Sequence, residues 1–533
     1  MIQKGTESSG VSSGTASGAQ ATPGVQVRKL GLWGVIMVIY FAVAGGAFGI
    51  EPLIASSGPG MALILILVTP FIYSIPTALM VTELATAMPV AGGYYAWVKR
   101  GLGPFWAFMQ GWSSWLYGLV IAASFAVLFA NYTSSFLKLA FGITVLDSQP
   151  LLKWLVVVAL IVGFVLLNVR GAHAVGDSSK LFAAMVFAPF IVMIVLALFK
   201  WIANPVNVAL PITPPGTGLL GAFGVGLFVV LYNFLGWDSV STVLEEITNP
   251  LKVIPKAMLI AVPLIILAYL LPVLAGLTSG VDWKTWGDTA AFPELATAVG
   301  GKWLGIWVAI GGMFCAAGLF NAMIMSNSRI PATLAADRYL PSLMTARHPR
   351  YGAPVTSIIV CAAIYAALAT SAFVPLAITT VMLYGVSLLL QFAVLIALRI
   401  TEPRMRRPFK IPGGLASAVL ISALPVTITV VAVVKTYQSE GPAFLKLAGG
   451  LLLAGPLIFL LTRALFKRGA PDVHVPTEYD EAVVWGSSGQ SDWTQRNRPA
   501  TLKTSDWSGE QNTSGGKAMK PAAQVLHVSR FLP

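Results

Sequence analysis

Two carboxylates lie inside apolar segments of this chain, where an ionised group is costly. Glu51 follows the glycine-rich stretch 45–49 in the first apolar segment, and Asp238 follows Gly236 in a long apolar segment near the middle. A buried carboxylate can favour a cationic ligand such as an amine, or it can titrate during proton coupling. Glu51 and Asp238 are therefore candidates for substrate binding and for proton coupling.

Each carboxylate also has a structural interpretation. Glu51 could reach an outer aqueous vestibule, and Asp238 could cap the half-helix that follows it. A third acid, Glu83, falls at the end of the second apolar segment, where pairing with a loop arginine or lysine is the favoured role. The sequence leaves the two roles of Glu51 and Asp238 open.

The glycines beside these acids predict that two helices are interrupted. Gly45, Gly46 and Gly49 precede Pro52 in the first segment, and Gly236 lies in the sixth. Lipid offers no water to freed backbone groups, so a break at membrane depth survives only where it is buried or lines a cavity. Paired breaks in two halves of a chain indicate the substrate site of a secondary transporter. The alternative is that these glycines only allow close helix packing.

Aromatic side chains near the breaks complete the predicted site. Rings can shield a cavity and contact an amine, with a cation–π interaction of roughly 0.5–2 kcal/mol. The predicted substrate-binding residues are Gly45, Gly46, Phe48, Gly49, Glu51, Trp115, Phe234, Trp237, Asp238 and Tyr384.

The backbone of the first break leaves the substrate class open. Its free N–H groups, with the start of the half-helix, can bind a carboxylate, and its carbonyl groups can accept from an ammonium. A zwitterionic amino acid would use both kinds of group, whereas a polyamine would use only the carbonyls.

Composition places the chain in a membrane. Its 533 residues are 56% hydrophobic and only 10% charged, with a mean hydropathy of +0.78, whereas soluble domains carry about 25% charged residues. The net charge of +13 comes from lysines and arginines between apolar segments, so nucleic acid is not an expected partner. No nucleotide-binding loop and no cluster with metal-ligand spacing is present in the sequence. We therefore expect a lipid-embedded protein with no enzymatic activity, metal or cofactor.

The apolar runs predict an all-α polytopic membrane protein with about twelve transmembrane helices. They fall at 31–55, 60–84, 104–131, 151–168, 179–202, 218–247, 255–277, 302–328, 354–371, 374–398, 414–435 and 445–466. Breaks in the first and sixth helices imply repeats of five helices, and an odd number inverts the second repeat in the membrane. The architecture is thus a five-plus-five inverted repeat with two trailing helices.

The loops and ends complete the predicted organisation. Most loop lysines and arginines fall on one side of the predicted helices, which predicts that both termini are cytoplasmic. Residues 1–29 and 469–533 are polar and are expected to be disordered cytoplasmic tails. Residues 30–468 would then form the transporter domain, in the plasma membrane.

Several motifs resemble those of the amino acid–polyamine–organocation superfamily, over roughly residues 30–465. They are GGAFGIEP at 45–52, ELATAMP at 83–89 with GGY at 92–94, EEITNP at 245–250 and RPFKIP at 407–412. Within the superfamily, PFIYSIP at 70–76 and WDSVST at 237–242 are most similar to the polyamine-uptake branch. The resemblance implies a LeuT-like fold and uptake of amino acids or polyamines, typically driven by protons. It also implies that Gly45, Gly46 and Gly49 form the substrate-binding break and that Trp237 is a gate or cavity wall.

The sequence therefore predicts a proton-coupled permease for amino acids or polyamines that works by alternating access. An amino-acid exchanger or antiporter is an alternative, as is a transporter-fold sensor that signals through its tails. A channel is disfavoured, because no ring of like charges and no filter-like carbonyl motif is visible.

Overall fold

The structure is a computed structural model of the chain. It describes residues 30–90, 92–169, 179–205, 208, 210–287, 290–336, 338–348, 353–440 and 442–466. Both predicted tails, 1–29 and 469–533, lie outside the described residues, so the domain limits at 30 and 468 stay predictions.

The described residues form helices and no β-strand. The α-helices are α1 (Leu32–Val43), α2 (Glu51–Ser57), α3 (Pro59–Thr69), α4 (Ile75–Ala87), α5 (Gly93–Leu102), α6 (Pro104–Phe141), α7 (Val145–Ser148), α8 (Pro150–Val169), α9 (Ser179–Ala203), α10 (Leu219–Asn233), α11 (Pro250–Leu277), α12 (Phe292–Gly300), α13 (Lys302–Asn327), α14 (Arg329–Ala336), α15 (Val355–Leu368), α16 (Phe373–Thr401), α17 (Gly414–Glu440) and α18 (Pro442–Phe466). A π-helical turn, Pro70–Ser74, joins α3 to α4, and a 3₁₀ helix, Trp237–Glu246, follows α10.

The predicted membrane architecture is confirmed. Within the described residues, nine helices are long and apolar enough to cross a bilayer. Three shorter apolar helices, Leu32–Val43, Val355–Leu368 and Ala448–Thr462, correspond to the remaining predicted segments. The total of twelve spans stays a prediction.

The first predicted break separates α1 from α2. α1 ends at Val43 and α2 begins at Glu51, with Pro52 in its first turn. Between them Gly45, Gly46 and Gly49 adopt φ values of 56°, 113° and 92°, a region that residues with a Cβ rarely occupy. The glycines therefore interrupt the helix, and their role is not limited to close helix packing.

The second break separates α10 from the 3₁₀ helix. Gly236 adopts a φ of 93°, and a Cβ added there would lie 2.5 Å from the carbonyl oxygen of Ala42. Ala42 lies in the last turn of α1. Gly236 thus serves two needs at once, since it turns the chain and lets the two broken segments touch.

A central helix and a peripheral helix illustrate how the bundle is built. In its most apolar window α6 is 78% buried, whereas the corresponding window of α8 is 11% buried. α6 packs against α13 and α16, and at one point the ring of Tyr132 lies directly over Gly312 of α13. The core thus lies around α6, and α8 presents most of its surface outward.

The contact at Gly312 gives a test of this packing. A Cβ added to Gly312 would lie 2.5 Å from Tyr132 Cγ, so we expect Gly312→Ala to displace the ring and destabilise the protein by about 1–3 kcal/mol. Gly163→Ala in α8 is the matched control, because no atom lies within 4 Å of its added Cβ. Thermal melting of the two purified variants in detergent measures the difference. Equal melting temperatures would contradict the described contact of α6 with α13.

Candidate functional site

A cavity lies where the two breaks meet. Its wall includes Gly45 of the first break, Leu235 and Gly236 of the second, and side chains from α6, α11, α13 and α16. Most of its large side chains are aromatic; they are Phe41, Phe48, Tyr117, Phe125, Tyr232, Tyr269 and Tyr384. The cavity therefore offers ring faces, hydroxyl groups and break backbone to a ligand.

Glu51 lies at the start of α2, with 1% of its surface exposed. The Gly49 N–H donates to Glu51 Oε2 at 2.6 Å, and the Tyr132 hydroxyl donates to Oε1. Within the described residues, no lysine or arginine forms an ion pair with it. Glu51 is thus bound by the backbone of the break that it follows, and it does not line the cavity.

Asp238 lies in the first turn of the 3₁₀ helix and is also 1% exposed. Two side chains of α16 bind its carboxylate: the Tyr384 hydroxyl donates to Oδ1 at 2.7 Å, and Gln391 Nε2 donates to Oδ2 at 2.8 Å. None of the ion pairs in the described part of the chain includes Asp238. Through Tyr384, which lines the cavity, Asp238 is one hydrogen bond away from the space between the breaks.

The other predicted substrate-binding residues divide into two groups. Gly45, Phe48 and Tyr384 line the cavity. Gly46, Gly49, Trp115, Phe234 and Trp237 are buried and do not form its lining. Trp237 is only 1% exposed, so a role as cavity wall or gate would require movement of the second break.

Two residues that the sequence did not single out connect the breaks. The Tyr269 hydroxyl of α11 donates to the carbonyls of Asn233, at 2.8 Å, and Ala44, at 3.3 Å. Asn233 Nδ2 donates to the Gly49 carbonyl at 3.3 Å and to that of Val229 at 2.7 Å. Together they satisfy backbone groups of both breaks. The position of Asn233 at the end of α10, beside the predicted break, could have identified it as a site residue. No local sequence feature distinguishes Tyr269.

Glu83 belongs to a separate charged cluster. Arg399 forms a two-pronged ion pair with it, Arg407 Nε lies 3.3 Å from Glu83 Oε1, and the Ile411 N–H donates to Oε2 at 2.8 Å. The predicted pairing of Glu83 with a basic residue is confirmed. The cluster fastens the end of α4 to α16 and to the loop that follows α16.

Metal binding has no support within the part of the chain that the structure describes. No group of three histidine, cysteine, aspartate or glutamate side chains is placed there to hold an ion.

Comparison with known proteins adds to this geometry. Residues 30–452 match the family model described as amino acid permease. Polyamine transporter RMV1 of Arabidopsis thaliana is 32% identical over 82% of this chain and 86% of its own. Polyamine transporter PUT1 of Oryza sativa subsp. japonica is 33% identical over 86% of this chain and 83% of its own.

A solved structure is similar in fold. The crystal structure of MhsT in complex with L-phenylalanine gives a TM-score of 0.53 at 12% identity. The match covers 75% of this chain and 97% of that protein. The predicted LeuT-like fold is confirmed.

The hydroxyl of Tyr269 gives the test of how the breaks are held. In Tyr269→Phe the carbonyls of Asn233 and Ala44 lose a donor, and an unpaired buried acceptor costs about 1–3 kcal/mol. We expect faster hydrogen–deuterium exchange over both breaks and a lower melting temperature. Tyr437→Phe is the matched control, since Tyr437 is 55% exposed. Wild-type exchange in Tyr269→Phe would show that the breaks do not depend on this hydroxyl.

Proposed function

This chain belongs to the amino acid permease family, and from that premise we propose that it transports organic amines of the polyamine class together with protons. The family makes it a multi-pass membrane transporter. The amine substrate, the proton and the alternating-access mechanism are the parts that we propose.

One observation favours an amine over an amino acid as the substrate. The Gly49 N–H of the first break is directed at the carboxylate of Glu51, 2.6 Å away. An amino-acid substrate would bring its own carboxylate to such donors, whereas here a side chain of the protein already accepts from one. A ligand without a carboxylate does not need that donor.

The cavity wall fits an ammonium group. Seven aromatic rings surround it, and each ring face that contacts a desolvated cation contributes roughly 0.5–2 kcal/mol. Ala44 and Gly45 of the break lie in the same wall. The names of the relatives RMV1 and PUT1, both polyamine transporters, support the same class of substrate.

The two buried carboxyl groups support proton coupling. Neither Glu51 nor Asp238 has an ion pair within the described residues, and an unpaired ionised group inside a protein is costly. Uptake of a proton removes that cost. Asp238 is the better coupling residue, because Tyr384 links it to the cavity, whereas Glu51 is fixed by the backbone of its own break.

An amino-acid permease or exchanger is the second candidate. The family description favours it, and backbone donors of the first break remain available, among them the N–H of Gly46. The Gly46 N–H makes no hydrogen bond within the described residues. If the break opens so that this N–H faces the cavity, it can receive a substrate carboxylate.

Uptake into proteoliposomes separates the two candidates. We expect an inward proton gradient to stimulate uptake of radiolabelled putrescine and spermidine, with no inhibition by excess leucine or alanine. The reason is that neutral amino acids bring a carboxylate, and no lysine or arginine is among the described residues that line the cavity. Inhibition by leucine or alanine, or exchange of labelled amino acids, would favour the second candidate.

Asp238→Asn tests the coupling residue. Asparagine cannot carry the proton, so we expect loss of gradient-stimulated uptake while the variant remains in the membrane in wild-type amounts. Asp147→Asn is the matched control, because Asp147 is an exposed acid that accepts a hydrogen bond from Ser134. Unchanged kinetics in Asp238→Asn would remove Asp238 from the mechanism.

A further inference from the structure

A chain of buried polar side chains continues from Asp238 into the bundle. Gln391 Nε2 lies 2.8 Å from Asp238 Oδ2 and 3.5 Å from Ser387 Oγ. Gln110 Nε2 of α6 donates to Ser387 and lies 3.3 Å from Ser114 Oγ. These four residues, together with Asp238, form one hydrogen-bonded cluster between the 3₁₀ helix, α16 and α6, which we call the Gln110–Gln391 cluster.

Two oxygens of this cluster have no donor. Gln110 and Gln391 are both 0% exposed, and within the described residues neither Oε1 atom accepts a hydrogen bond. Turning either amide over would exchange its oxygen and nitrogen, and an amide atom would still be left unpaired. An unpaired buried acceptor is costly, and in a polar space the usual donor is an internal water.

The cluster lies toward one end of the bundle. Gln110 is six residues from the start of α6, or about 9 Å along the helix. Gln391 is ten residues from the end of α16, or about 15 Å. That same end carries the Arg100–Glu402 ion pair and is the end predicted to face the cytoplasm.

The side chains that surround Asp238 are mainly tyrosines. Tyrosines from four elements lie close enough to interact electrostatically with its carboxylate: Tyr73 of the π-helical turn, Tyr94 of α5, Tyr117 of α6 and Tyr384 of α16. None of the described lysines, arginines or histidines forms an ion pair with it. The amide of Gln391 bonds Asp238 directly and continues to Ser387, and the Tyr94 side chain bonds Ser114, which belongs to the same cluster.

We propose that the Gln110–Gln391 cluster holds internal waters through which Asp238 releases its coupling proton toward the cytoplasmic end. The O–H bond of the Asp238 carboxyl breaks, a water takes the proton, and successive waters pass it to bulk solvent as hydronium. Asp238 remains as a carboxylate that accepts from Tyr384 and Gln391. The amide oxygens and the serine hydroxyls position the waters and do not themselves change protonation.

This inference rests on the proposed proton-coupled uptake. A comparison of net uptake with substrate exchange distinguishes failure of the inference from failure of the proposed function. Net uptake requires the proton to leave on the inside at every turnover. Exchange of labelled for unlabelled substrate does not, because a carrier that has released a labelled substrate on the inside can bind an unlabelled one and return with its proton still bound. A defect in proton release therefore lowers net uptake and spares exchange.

Gln110→Leu is the test variant, since leucine is of similar size and cannot hold a water. We expect putrescine uptake driven by an inward proton gradient to fall roughly tenfold, with putrescine exchange at equal pH on both sides close to wild type. Gln110→Glu should restore most of the net uptake. Ser113→Ala is the matched control, because within the described residues the Ser113 hydroxyl bonds the Gln110 carbonyl of its own helix and no side chain of the cluster.

Several results would contradict the proposed role of the Gln110–Gln391 cluster. Equal losses of uptake and exchange in Gln110→Leu, or no loss in either, would overturn it. If Gln110→Leu does not fold, Ser387→Ala removes a smaller group of the same cluster and must show the same split between uptake and exchange. Wild-type uptake that ignores the proton gradient would instead overturn the proposed function.

Discussion

Backbone groups that are freed at membrane depth need partners, and this constraint explains much of how the centre of the molecule is built. Two helices are broken, and lipid cannot hydrogen-bond the groups that the breaks expose. Tyr269 donates to carbonyls on both sides, Asn233 reaches from the second break to the first, and Glu51 accepts from Gly49. The Cys315 thiol donates to the Gly45 carbonyl. The breaks are thus held together by two side chains at their own ends, Asn233 and Glu51, and by two from other helices, Tyr269 and Cys315.

The same constraint gives the two buried carboxylates different environments. Glu51 is bound by the break backbone and by Tyr132 of α6, so its oxygens serve the local geometry of the first break. Asp238 is bound by Tyr384 and Gln391 of α16, and its partners continue into further polar side chains. Two acids in similar sequence contexts, each following a glycine break, therefore suit different tasks.

Local sequence information predicted the elements, and contacts between distant residues determined the site. Apolar runs, glycines and Pro52 act over a few neighbouring residues, so the helices and both breaks could be read directly. The partners of Asp238 come from α16, about 150 residues away in the chain. No local pattern marks Gln391, Tyr269 or Gln110 among the many residues of apolar helices. For the same reason the sequence could not show that Trp237 and Phe234 lie outside the cavity lining.

The ion pair of Glu83 with Arg399 has a consequence for biosynthesis. The two residues are 316 positions apart, and a ribosome adding about 5–20 residues per second needs roughly 16–63 s to make the intervening chain. During that interval the second apolar segment has already been synthesised while its terminal acid still lacks Arg399 and Arg407. The half-made protein must therefore keep Glu83 in contact with water or with a chaperone, and the final fastening of α4 waits for the last third of the chain.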